Sequence, residues 1–166
     1  THKAFIAGSE PIGFLLTPLT LYLAANMRVT PSRACALVFA TASVLLIGAS
    51  ATHTLLLFTL FAVSSQMAAV QQGPLMLQIY TENYTSKERG SRMTWPFVLT
   101  AIFSIGFAFY GGKVLDQKLE AYHWIFIIMV LAASISAYAC SQIPSSPLSR
   151  GHVGNPWQNF SLIWKD

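Results

Sequence analysis

Charged side chains are scarce in this sequence of 166 residues. Ten Lys and Arg and six Asp and Glu make up 10% of the chain, whereas hydrophobic residues make up 54%. A soluble domain carries about 25% charged residues, so this composition argues against an ordinary soluble protein and predicts an integral membrane protein. The net charge of +4 gives no reason to expect a nucleic-acid partner, because in a membrane protein the side on which Lys and Arg lie matters more than their sum.

Groups suited to metal or nucleophile chemistry are also few. The two cysteines, Cys35 and Cys140, lie in apolar runs without a CxxC motif or a neighbouring His, which predicts small buried thiols rather than a metal site or a disulfide framework. No Gly-x-Ser-x-Gly or His-rich motif is present, and the four histidines lie near termini or predicted loops. We therefore expect no enzyme, no metal and no cofactor.

A long uncharged stretch, residues 54–81, organises the chain. Its 28 residues exceed the roughly 20 that a helix needs to cross a bilayer. On a helix with about 100° per residue, one face collects Ser64, Gln71, Gln78 and Glu82. The other faces are apolar, so this row is expected to point into protein or water rather than lipid. The pattern is typical of a helix that lines a polar path, and a loop rich in Lys and Arg follows it.

Five apolar segments of spanning length predict an all-α, polytopic bundle of five transmembrane helices over residues 1–143. They cover residues 4–27, 34–51, 54–81, 95–112 and 122–143. The second segment has no strong polar face, which indicates a peripheral position. In the first, Glu10 is an acid inside an apolar run, and such acids are usually functional, although its carboxylate could instead reach the interface from near the helix end. Thr100 and Ser104 share a face of the fourth segment, which suits close packing and cavity lining equally.

Residues 144–166 differ abruptly in composition. A Pro/Ser-rich linker is followed by a tail in which Trp157, Phe160 and Trp164 share a helical face. This amphipathic tail suits either a helix on the membrane surface or the approach to a further span.

The distribution of Lys and Arg predicts the orientation. Seven of them fall on one side of the five spans and three on the other. By the positive-inside rule, the first residue is expected to be external and the C-terminus cytoplasmic.

Several loop and helix-end motifs resemble the major facilitator superfamily of transporters, from the second to the sixth helix of the N-terminal half. The fourth helix of the family and the basic loop after it resemble three stretches here: Gln72-Gly73-Pro74, Tyr80-Thr81-Glu82 and Lys87-Glu88-Arg89-Gly90. The family's short basic loop between helices two and three falls at NMRVTPSR, which contains Arg28 and Arg33. The chain departs from the family pattern at Tyr22, Asn26 and Ala69. It also lacks the Gly-Pro pair of antiporters.

The resemblance implies a fragment of a transporter that moves a small solute across the bilayer by alternating access. Helices two, four and five would line a central cavity, with the remaining helices of the same transporter as partners. The polar stripes then become candidate substrate-binding residues: Glu10, Ser64, Gln71, Gln78, Thr100 and Ser104. Charged residues at the cytoplasmic end become a candidate gate: Arg28, Arg33, Glu82, Arg89 and Arg92. For the loop arginines, an alternative is that they only set the topology.

Two other function classes stay open from the sequence. A membrane scaffold or sensor without transport would have the same spans, and a membrane-embedded enzyme would need a nucleophile or metal ligands at depth. Neither the solute nor a coupling ion can be identified from these residues.

Overall fold

The chain is all-helical in the computed structural model, which describes residues 2–147. This range has no strand. It forms seven α-helices and one 3₁₀ helix: α1 (His2–Leu15), α2 (Thr17–Asn26), α3 (Pro31–Ala51), α4 (Leu55–Val70), α5 (Gln72–Asn83), α6 (Ser86–Gln117), the 3₁₀ helix Leu119–Ala121 and α7 (Tyr122–Ser141). The predicted all-α class is confirmed. The tail with Trp157, Phe160 and Trp164 lies outside the described residues.

Among the described residues, four helices are long and apolar enough to cross a membrane. They are Pro31–Ala51, the consecutive pair Leu55–Asn83, Ser86–Gln117 and Tyr122–Ser141. The first predicted span is instead divided at Leu16 into α1 and α2, of 14 and 10 residues. Pro18 explains the break, because it has no N–H for the carbonyl one turn earlier and its ring disfavours a continuous helix. The count of five spans is therefore not reproduced as five long helices.

The turn between α2 and α3 is closed by paired backbone bonds. Val29 N–H donates to Ala24 O at 3.0 Å and Arg28 N–H to Ala25 O at 3.2 Å, the pattern of a Schellman helix end. Arg28 has φ of 54°, a left-handed conformation that favours glycine. Thr30 then caps α3, accepting from Arg33 N–H at 3.3 Å, with Pro31 in the first turn. This geometry places Arg28 and Arg33 on the two sides of one tight turn.

α3 is the centre of packing among the described helices. It contacts α4, α5 and most extensively α7, while α1 packs on α4. The peripheral position that we predicted for this segment is therefore wrong within the described part of the chain. Small residues on α3, such as Ala34, Ala42 and Ala49, are buried and let neighbouring helices approach closely, so a polar face is not needed for a central place.

α6 differs from the other long helices because none of its described residues is buried. Its most extensive contacts with other elements are to α5 and to the 3₁₀ helix that follows it, and it faces α7 across a groove. The described helices therefore pack around α3, and α6 lies at the margin of the bundle.

Candidate functional site

A cavity of about 580 Å³ lies among α1, α3, α4, α5, α6 and α7. Its apolar lining comes from residues such as Phe39, Leu46 and Met129. Polar groups from five of the six helices also line it: Glu10, Ser65, Gln66, Gln72, Ser104 and Ser136. A mostly apolar cavity with a few convergent polar groups is typical of a small-molecule site.

Two of the predicted substrate-binding residues line this cavity. Glu10 enters it from α1 and Ser104 from α6, and among the described residues Glu10 is the one charged side chain of the lining. A neighbouring groove of about 930 Å³ between α6 and α7 contains Thr100 and shares Ser104 and Ser136 with the cavity. Three of the six predicted residues therefore lie along one continuous space.

Gln71 has a different place, at the crossing of α1 and α4. It is only 5% exposed, and its Nε2 donates to Gly13 O at 2.5 Å and to Met67 O at 3.3 Å. Its Oε1 is buried without a hydrogen-bond partner. The crossing is close because α1 has glycine there. A Cβ on Gly13 would lie 3.1 Å from Met67 Cα.

The predicted polar row is broken at Gln71. α4 ends at Val70 and α5 begins at Gln72, and no residue of the row lines the cavity. Pro74 in the first turn of α5 suits this restart. Ser64 and Gln78 are both exposed and do not line the cavity with Glu10.

Gln66 and Gln72 were missed by the sequence analysis, although both line the cavity. They lie three residues on either side of Ala69, which also lines it, and Ser65 is adjacent. A three-residue spacing on one helix face was the available signal. The predicted row has residues seven apart, and these lie on the other side of the helix from the cavity.

The predicted gate residues lie at one end of the bundle but make separate contacts. Glu82 Oε1 accepts from Ser146 N–H at 2.6 Å. Arg89 Nη2 donates to Thr81 O at 3.3 Å, while its Nε is buried without a partner. Arg28, Arg33 and Arg92 are exposed.

The residues that follow α7 make hydrogen bonds to α3 and α5 at this end of the bundle. Ser145 Oγ lies 2.5 Å from Ser32 Oγ and accepts from Ser32 N–H at 3.2 Å. Asn83 Nδ2 donates to Pro144 O at 3.2 Å. The segment after α7 thus joins the beginning of α3 to the end of α5, beside the gate residues Arg33 and Glu82.

Within residues 2–147, no group of three or more His, Cys, Asp or Glu side chains is placed to hold a metal ion. Comparison with known proteins returned no matching family model, curated protein or solved structure.

Proposed function

We propose that this chain is part of a membrane transporter that moves a small solute by alternating access. The observation that carries the proposal is the cavity among six helices, in which Glu10 is the one charged lining residue within the described part of the chain. An ionisable acid inside a membrane span is energetically costly, and such residues are usually functional. Amide, hydroxyl and carboxylate groups would bind hydrogen-bond donors on the solute.

The contributions of individual helices support this function. The resemblance to the major facilitator superfamily implies a cavity lined by the family's helices two, four and five, which correspond to α1, the pair α4 and α5, and α6. These helices supply Glu10, Gln66, Gln72 and Ser104, and α3 and α7 also contribute to the lining. The break between α4 and α5 lies beside the cavity, as broken helices do in many transporters.

The gate belongs to the same proposal. We infer that the contacts of Glu82 with Ser146 and of Arg89 with Thr81 belong to a gate at the end of the bundle that we assign to the cytoplasm. Opening toward that side would require these exposed hydrogen bonds to break, and each is worth only about 1 kcal/mol. Such contacts suit a gate that must open repeatedly.

Accessibility of an introduced cysteine tests the proposal without knowledge of the solute. In the full-length protein with its other cysteines replaced by serine, Gln72→Cys should react with a hydrophilic methanethiosulfonate reagent added to either side of the membrane. The matched control is Leu60→Cys, since Leu60 is an exposed residue of α4 outside the cavity lining. It should react from neither side, because lipid covers it.

Access from one side only would instead favour a fixed binding site, as in a sensor. Lack of reaction at Gln72→Cys from both sides would show that the cavity holds no water, and it would refute a solute path there.

A further inference from the structure

The only two cysteines of the sequence meet in the interior, although 105 residues separate them. Cys140 Sγ lies 3.6 Å from Cys35 Sγ. The two residues are 3% and 0% exposed, respectively, and both thiols are free. Cys35 belongs to α3 and Cys140 to α7, the two helices that pack most extensively against each other.

Contacts on both sides of the thiols hold the two helices in register. Toward one end, Ser134 Oγ of α7 donates to Ser43 Oγ of α3 at 3.4 Å. Toward the other end, Ser145 Oγ lies 2.5 Å from Ser32 Oγ. Buried Leu75 and Ile79 of α5 pack in the same cluster as the cysteines. The thiols therefore face each other in a fixed arrangement rather than through chance motion of free side chains.

We propose that Cys35 and Cys140 are an oxidation site, at which hydrogen peroxide converts the two thiols into a disulfide that joins α3 to α7. A disulfide needs the two sulfurs at about 2.0 Å, so they must approach by roughly 1.6 Å from their separation of 3.6 Å. A third metal-ligating side chain is absent from this cluster in the described residues, and a structural zinc site needs four ligands. Oxidation is thus the chemistry that this pair suits.

The reaction balances with peroxide as the sole oxidant. One thiol attacks peroxide, giving a sulfenic acid and one water. The second thiol then attacks the sulfenic sulfur, forming the S–S bond and releasing a second water. Two electrons and two hydrogens leave the thiols, and the peroxide O–O bond is broken. Burial favours a small, uncharged oxidant, because a bulky disulfide such as oxidised glutathione cannot reach either sulfur in the packed state.

Peptide mapping of the full-length protein in its membrane tests this directly. Trypsin is expected to release residues 34–87 and 119–150, each with one of the two cysteines. After peroxide treatment and blocking of remaining thiols with N-ethylmaleimide, the two peptides should be recovered joined, and dithiothreitol should separate them. Labelling of both thiols by N-ethylmaleimide in the denatured protein should be lost together.

The matched control moves one thiol by a single residue, in the double variant Cys140→Ser, Ser141→Cys. Ser141 is exposed and lies about 100° around the helix from Cys140, so its thiol should not join Cys35. Equal joining in this variant would show mobile thiols and overturn the proposal. The proposal also fails if wild-type thiols stay fully labelled after peroxide, or if each is oxidised to sulfinic acid without a joined peptide.

Discussion

Substitution of Gly13 by Ala should weaken the contact between α1 and α4. A Cβ at this position would lie 3.1 Å from Met67 Cα and 3.3 Å from Met67 O. Both atoms belong to the backbone, so no side-chain rotation relieves the crowding and the helices must separate. Separation lengthens the 2.5 Å hydrogen bond from Gln71 Nε2 to Gly13 O.

The expected loss follows from three contributions. Overpacking of a closely packed site costs about 1–3 kcal/mol. Hydrogen bonds between membrane helices contribute about 0.6 kcal/mol on average and at most about 1.7 kcal/mol. Replacing glycine by alanine in a helix offsets up to about 1 kcal/mol of these losses. We therefore expect Gly13→Ala to lower the free energy of unfolding of the full-length protein by about 1–3 kcal/mol.

The assay is reversible unfolding in detergent mixtures of increasing denaturing strength, followed by circular dichroism. Gly8→Ala is the matched control, because Gly8 lies on the same helix and a Cβ there meets no atom within 4 Å. It should be neutral or slightly stabilising. Equal stability of the two variants would refute the close crossing at Gly13, and with it the placement of Gln71 as an interhelical donor.

Four further outcomes are expected. Arg28→Gly should raise the free energy of unfolding by about 1 kcal/mol in the same assay, since glycine adopts the left-handed conformation at φ 54° without strain; a loss of stability would mean that the arginine side chain outweighs its backbone. Gln71→Leu should leave insertion intact and change stability by less than about 1 kcal/mol, because the lost hydrogen bond is offset by removal of the unpartnered Oε1; a larger loss of stability would show that the hydrogen bond to Gly13 O outweighs the unpartnered oxygen. Cysteine at Ser86 should react only with reagent in the cytoplasm and cysteine at Gln117 only with external reagent, as the distribution of Lys and Arg implies; the reverse pattern would invert the orientation. Purified residues 1–166 in liposomes should show no saturable flux, because alternating access needs two repeats around the site; solute-specific flux would indicate transport by an oligomer of this chain.

Local sequence was sufficient for the class of the protein and for most of its helices. Uncharged segments must form helices in a bilayer because lipid offers no partners for backbone polar groups, and four of the five predicted segments correspond to helices of spanning length. The loop rich in Lys and Arg that we predicted after residue 81 is wrong, because α5 continues to Asn83 and Lys87, Arg89 and Arg92 lie within α6; Lys and Arg can lie on a helix end near water as well as in a loop. Glu10 and Ser104 were identifiable because a polar group in an apolar run is conspicuous by itself.

Tertiary structure decided which polar groups face the cavity and which thiols meet. The row from Ser64 to Glu82 assumed a straight helix, but the helix breaks at Gln71, the row lies off the cavity, and Gln66 and Gln72 form part of the lining instead. Periodicity along one helix cannot reveal such a break or the neighbour that each face contacts. Cys35 and Cys140 had no local partner in the sequence, and only the antiparallel packing of α3 on α7 brings their sulfurs to 3.6 Å. Contacts between helices depend on small residues at the crossings, as at Gly13. A small residue has this effect only where a partner helix packs against it, and its own helix sequence does not show which helix that is.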